Sequence, residues 1–135
     1  AEGLTLWGRL EEIYRRYGVF VSAQVNRVCP GAEGATQIQQ WMKTLREHPP
    51  THIADLEVCR FTDLARAPEP LTGNVLHYSL EGQARVIVRP SGTEPKIKVY
   101  LEACASPEGR SLDEAFASAN ATLERLKRAV EGLLS

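Results

Sequence analysis

Neither sign of charge dominates this sequence, and no long apolar run interrupts it. Sixteen Lys and Arg stand against seventeen Asp and Glu in 135 residues, for a formal net charge of −1. A chain so balanced lacks the surplus of cations that neutralises a phosphate backbone, so nucleic acid is not an expected partner. No stretch approaches the ~20 consecutive apolar residues of a membrane span, so no membrane partner is expected either. Cysteine is scarce. Cys29, Cys59 and Cys104 lie far apart with no C-x-x-C among them, which excludes a disulfide framework and a zinc site. Their expected state is that of reduced, mostly buried thiols in a cytoplasmic protein. An initiating Met is also missing. The chain opens at Ala1 with no charged n-region leading into an apolar stretch, and the expectation is a processed protein or an excised piece of a longer one. What is present is enough to fold: hydrophobic residues make up 43%, and the length suits one domain with a short appendage.

The periodicity changes several times along the chain. Leu6, Leu10, Ile13, Tyr14 and Tyr17 fall at helical spacing, with Thr5 as N-cap and Gly18 after the last turn, predicting a helix over 4–17. From Val19 the period becomes two, with Val21, Ala23 and Val25 alternating against Phe20, Ser22, Gln24 and Asn26. That is a half-buried strand. Pro30-Gly31 ends it, and a second helix is predicted from Ala32 to Glu47 with an apolar stripe of Ile38, Trp41, Met42 and Leu45. Pro49-Pro50 stops that helix. Four more strands are predicted: 53–61, 74–80, 84–89 and 96–104, with a loop over 63–73 and a hairpin turn at Glu81-Gly82-Gln83. The last element is a long helix with Leu112, Phe116, Ala119, Leu123, Leu126, Val130 and Leu133 in a heptad-like stripe, opened by a Ser111–Glu114 capping box. A stripe with Ala in it and strands nearby suits a helix lying on a sheet better than a coiled coil. The order is helix, then strand–helix–four strands–helix, an α+β architecture with a mainly antiparallel sheet.

One loop carries chemistry. Arg89-Pro90-Ser91-Gly92-Thr93-Glu94-Pro95 joins two strong strands. Gly92 permits a bend that turns successive N–H groups the same way, Ser91 and Thr93 add hydroxyl donors, and Arg89 supplies a planar cation suited to phosphate oxygens. Pro90 and Pro95 limit the entropy that binding would cost. Lys96 and Lys98 raise the local potential. Composition alone fits a phosphate cradle and a plain β-hairpin loop with an exposed Arg equally well, because Ser, Gly, Thr and Pro are common turn residues.

The order of the residues is more specific than their composition. The run Val86-Ile87-Val88-Arg89-Pro90-Ser91-Gly92-Thr93-Glu94-Pro95-Lys96-Ile97-Lys98-Val99-Tyr100-Leu101-Glu102 resembles the phosphate-binding signature in the fourth, C-terminal domain of the α-D-phosphohexomutases. These are the phosphoglucomutases, phosphomannomutases and phosphoglucosamine mutases. Tyr14-Arg15-Arg16-Tyr17-Gly18, the strand after it, the Pro30-Gly31 break and the Asn74–Tyr78 segment resemble the same family in the same order. The resemblance implies a TATA-binding-protein-like β-α-β(4)-α fold with an extra N-terminal helix. It assigns residues 1–18 to the end of the third domain and a hinge, and 19–135 to the C-terminal phosphate-binding domain.

The resemblance also implies an activity. Such enzymes, isomerases acting by intramolecular phosphoryl transfer, interconvert hexose 1-phosphates and hexose 6-phosphates through a bisphosphorylated sugar. A phosphoserine on the first domain donates the phosphoryl group, Mg2+ on the second assists, and a loop on the third selects the hexose. The fourth domain grips the phosphate that is not reacting. By motif, Arg89, Ser91, Gly92 and Thr93 are the implied phosphate ligands, and Lys98 is a weaker one whose other reading is a solvated lysine. Glu94 is expected to shape the loop, since a carboxylate repels phosphate. The implied partners are a phosphosugar and the remaining domains of a cytoplasmic parent enzyme. The nucleophilic Ser-His-Asn-Pro, the Asp-Gly-Asp-Gly-Asp metal loop and the Gly-Glu-x-Ser-Gly sugar loop are all absent from this sequence. The chain alone is therefore expected to hold no catalytic residue and no metal. A free-standing, non-catalytic anion-binding module is the alternative reading. His48 and His52 are separated by Pro49-Pro50 and so do not form a helical metal pair. His77 reads as structural, and Trp7 and Trp41 as core or domain contacts.

Overall fold

The computed structural model describes residues 9, 12, 13, 18–66, 73–91 and 94–134. The predicted first helix lies largely outside the described residues, as do Trp7, Gly92 and Thr93. Six strands and two α-helices are described. The strands are β1 (Val19–Val28), β2 (His52–Ile53), β3 (Leu56–Asp63), β4 (Leu76–Leu80), β5 (Arg85–Pro90) and β6 (Lys96–Ala105); the helices are α1 (Ala32–Glu47) and α2 (Leu112–Leu133). They form one sheet in the order β1-β6-β5-β4-β3-β2, and every neighbouring pair is antiparallel. The α+β expectation is met with one more strand than predicted. The stretch read as a single strand over 53–61 folds back on itself, with Ile53 paired to Leu56. Ala54 takes a left-handed φ of 57° there, a geometry that closes a tight two-residue turn. The predicted 63–73 loop begins with a 3-10 turn at Leu64–Arg66.

Alternation decides which face is inside. Along β6, Ile97, Val99, Leu101 and Ala103 are buried while Lys96, Lys98, Tyr100 and Glu102 point the other way. Leu76, Tyr78, Val86 and Val88 continue the inner face and meet Ile38 and Met42 of α1 and Leu123, Leu126 and Val130 of α2. Both helices therefore cover the same face. In α2 the buried residues are Leu112, Ala115, Ala119, Leu123, Leu126 and Val130, which follow the ~3.6-residue turn of a straight helix. The predicted heptad stripe drifts off that line at both ends: Phe116 is only half-buried and Leu133 is 44% exposed. The helix packs on β1 and β6, as the sheet reading requires. Its capping box is formed in both directions, with the Ser111 hydroxyl accepting from the Glu114 N–H at 3.1 Å.

Specific polar contacts fix α1. Its Arg46 Nε donates to Asp63 Oδ2 at 3.0 Å, and Arg46 also bonds Asn74. The Tyr78 hydroxyl donates to the Leu45 carbonyl at 2.9 Å, while the ring lies 5.0 Å from that of Phe61. Burial raises the Tyr78 phenol well above its ordinary range. At the start of α1 a Cβ on Gly34 would sit 1.7 Å from the Cys29 carbonyl oxygen, so only glycine lets the helix leave β1 this tightly. The thiol expectation is corrected in part. Cys29 and Cys104 are half-buried, but Cys59 is exposed. A bulge between Val58 and Arg60 turns it outward, a displacement that sequence alternation does not encode.

The second face of the sheet is polar and bears no helix among the described residues. On it, His77 lies opposite Thr62 of β3 and Ile87 of β5. Its Nε2 is buried without a hydrogen-bond partner among the described residues. Burial first, then Arg85 and Arg60, hold its pKa below the ordinary 6.5. A base whose folded pKa is depressed leaves the unfolded chain binding more protons as pH falls, so stability is lost below the unfolded value and retained above it. The denaturant midpoint is expected to fall from pH 7 towards pH 5, and His77→Gln is expected to flatten part of that slope. An unchanged slope in the variant would show that His77 plays no part.

Candidate functional site

The antiparallel register of β5 and β6 builds the site. Arg89 is directly opposite Lys98, and Lys98 is directly opposite Asn26 of β1. Opposed residues of an antiparallel pair share a face, and like charges so placed repel. Arg89 is exposed and Lys98 half-buried. Neither makes an ion pair or hydrogen bond among the described residues. Two cations thus stand directly opposite each other with no carboxylate partner among the described residues. Beyond the Ile87–Tyr100 row, the same face carries Arg85 and Arg60, opposite the two sides of Ser79. Arg85 is neutralised by Glu102 at 3.0 Å.

The loop that joins the two strands is tied down at several points. The Ser91 N–H donates to the Lys96 carbonyl at 2.7 Å, and the Lys96 N–H donates to the Glu94 carbonyl at 2.7 Å. The Glu94 N–H donates to Ser91 Oγ at 3.3 Å. The Cys29 N–H, just past β1, donates to the Pro95 carbonyl at 2.8 Å. Pro90 belongs to β5 and pairs with Ile97, so the free span is shorter than the sequence suggests. These bonds sharpen the expected cradle. The N–H groups of Ser91 and Glu94 already have partners, so neither is available to turn toward an anion. Glu94 is exposed, and its carboxylate lies 3.9 Å from Lys96 Nζ. That places its charge near Lys96, while Arg89 and Lys98 have no ion pair among the described residues. Gly92 and Thr93, the other two predicted ligands, lie outside the described residues.

Sequence reasoning had no means of finding Asn26 and Gln24. Gln24 Nε2 donates to Asn26 Oδ1 at 2.7 Å, and both amides flank β6, Asn26 beside Lys98 and Gln24 beside Tyr100. The alternation marked them as outward-facing, but only the β1–β6 pairing brings them to the site. Next to this row an open groove of about 500 Å³ is lined by Ser22, Gln24, Arg85, Ile87, Tyr100 and Glu102 among others. Among the described residues no three of His, Cys, Asp and Glu converge as metal ligands. The described residues thus offer no donor set that fits the Mg2+ the resemblance implies. No described helix is long and apolar enough to cross a membrane.

Residues 59–119 match the model of the phosphoglucomutase/phosphomannomutase C-terminal domain. A probable phosphomannomutase of Haemophilus influenzae is 38% identical over 103 residues, covering 76% of this chain and 20% of the relative. A phosphoglucomutase of Staphylococcus haemolyticus is 37% identical over 115 residues, covering 74% of this chain and 20% of the relative. The chain thus spans about a fifth of the length of these curated relatives. Among solved structures, the open form of pp63/parafusin, a phosphoglucomutase of Paramecium, superposes with a TM-score of 0.52 at 13% identity, covering 95% of this chain and 23% of that one. At that identity the likeness shows the fold alone. The matched model, the curated relatives and the six-stranded antiparallel sheet agree, and the chain belongs to the phosphoglucomutase/phosphomannomutase family as its C-terminal domain.

Proposed function

We propose that this domain holds the non-reacting phosphate of a phosphosugar in a phosphohexomutase that interconverts hexose 1-phosphates and hexose 6-phosphates. The observation that carries the reading is the Arg89–Lys98 pair, two cations opposed across β5 and β6 with no counter-ion among the described residues. A phosphate dianion between them turns a repulsion into two charge-assisted contacts. Ser91, Gly92 and Thr93 complete the ligand set by motif. Residues 19–135 form the binding unit. Residues 1–18 belong to the end of the preceding domain, with Gly18, at φ 96°, as the hinge.

Gripping a remote phosphate serves catalysis indirectly. The binding energy closes the domain over the reacting end and excludes water, and both effects lower the barrier without any residue here touching the transferred group. The phosphoryl donor and the Mg2+ belong to the rest of a cytoplasmic parent enzyme, so this chain contributes binding and no chemistry. Three free thiols with no disulfide support that reducing compartment.

Titration of the chain with glucose 1,6-bisphosphate, followed by amide NMR, is expected to shift Arg89, Ser91 and Lys98. Arg89→Ala should weaken binding at least about tenfold; shifts confined to other regions would sink the assignment. In a coupled mutase assay the chain alone is expected to show no turnover, and measurable turnover would contradict its non-catalytic role.

A further inference from the structure

The groove beside the Arg89–Lys98 pair has the chemistry of a sugar platform. Its floor is the cross-strand pair Tyr100 and Ile87. The Tyr100 ring is half-buried, and its hydroxyl has no hydrogen-bond partner among the described residues. Gln24 stands directly opposite Tyr100 on β1. Its amide is oriented by the bond to Asn26 at 2.7 Å, and its carbonyl oxygen has no hydrogen-bond partner among the described residues. At the far end Arg85 Nε and Nη2 both hold Glu102 Oε1, at 3.1 and 3.0 Å, which leaves the second carboxylate oxygen as an acceptor. An aromatic face ringed by a fixed amide and a charged pair suits a polyhydroxylated ring. The apolar C–H face lies on the aromatic ring, and the hydroxyls meet directional donors and acceptors.

Strand geometry sets the scale. Lys98 and Tyr100 are neighbours on one face of β6, about 6.6 Å apart along the strand. Glu102 follows at the same interval. A phosphate held at Lys98 and Arg89 therefore directs its attached ring over Tyr100 and the far hydroxyls towards Glu102 and Arg85. The groove volume of about 500 Å³ is that of a small-molecule site.

The geometry points to Tyr100 and Gln24 as a sugar-contacting subsite, so that this domain recognises a phosphorylated pyranose and not phosphate alone. This rests on the phosphate site proposed above. In use, the phosphate anchors the ligand, Tyr100 receives the ring face, and Gln24 and Glu102 accept hydrogen bonds from hydroxyls.

The test compares two monoesters of the same charge on the intact chain by amide NMR and calorimetry: methyl phosphate, which has no ring, and glucose 1-phosphate. Both are expected to shift Arg89, Ser91 and Lys98. Glucose 1-phosphate alone should shift Gln24, Ile87 and Tyr100, and it should bind about fivefold tighter. Equal affinities with no shift at Gln24 or Tyr100 overturn the subsite and leave the phosphate site standing. No shift at Arg89 or Lys98 with either ligand overturns both. Gln24→Ala, at an exposed position, should reduce the glucose 1-phosphate advantage without changing methyl phosphate affinity. Tyr100→Leu should do the same and Tyr100→Phe should retain the advantage. Parallel loss of both affinities in Gln24→Ala would contradict the inference.

Discussion

The β5–β6 register is the constraint on which the site depends. Antiparallel pairing places Arg89 opposite Lys98, and the strands cannot separate them without giving up the inner face. A slip of β6 by one residue would turn Ile97, Val99 and Leu101 out of the core and expose each of them to water. The core therefore enforces a like-charge contact. Its penalty is small, since opposed like charges on a sheet are worth about 0.2–1 kcal/mol. The burial that fixes it is much larger: each of those aliphatic side chains contributes about 1.5–3 kcal/mol. Packing on one face thus builds a small electrostatic conflict on the other, which an anion bound as proposed would resolve.

The remainder of the fold keeps that conflict in place. α1 is fastened by Arg46 to Asp63 and Asn74, and by the Tyr78 hydroxyl to its last turn. α2 is set by its capping box and lies along β1 and β6, the strands that carry Asn26 and Lys98. The loop itself is closed by the Ser91–Lys96 bond and braced from outside by the Cys29–Pro95 bond. Less entropy is lost when such a loop receives a ligand than when it has to be ordered first. The proposed function is compatible with the near-zero net charge, since recognition of one phosphate would need two or three well-placed cations and no broad basic surface.

Much of this was legible in the residues, because the relevant signals were local. The alternation of Ile97, Val99, Leu101 and Ala103 gave β6 its inner face, Ser111 and Glu114 marked the start of α2, and the Arg89–Pro95 order carried the family resemblance. The losses also have physical causes. A left-handed turn at Ala54 carries no glycine to announce it, so β2 and β3 read as one strand. The bulge that exposes Cys59 depends on how β3 meets β4. The α2 stripe looked like a heptad because Phe116 and Leu133 are apolar, whereas the sheet selects the 3.6-residue line through Ala115. Asn26 and Gln24 reach the site only through pairing between strands at opposite ends of the sequence, which no local pattern records.

The claim that the sheet holds two cations in readiness for an anion is tested most directly by the stability of Lys98→Met with and without inorganic phosphate. The account predicts that the variant, lacking phosphate, is as stable as the parent or more so, by about 0.5 kcal/mol, because a repulsion has gone. It also predicts that phosphate raises the midpoint of the parent, as any ligand of the native state does, and leaves the variant nearly unmoved. A variant that is markedly less stable in the absence of phosphate, or one that phosphate stabilises as fully as the parent, would contradict it.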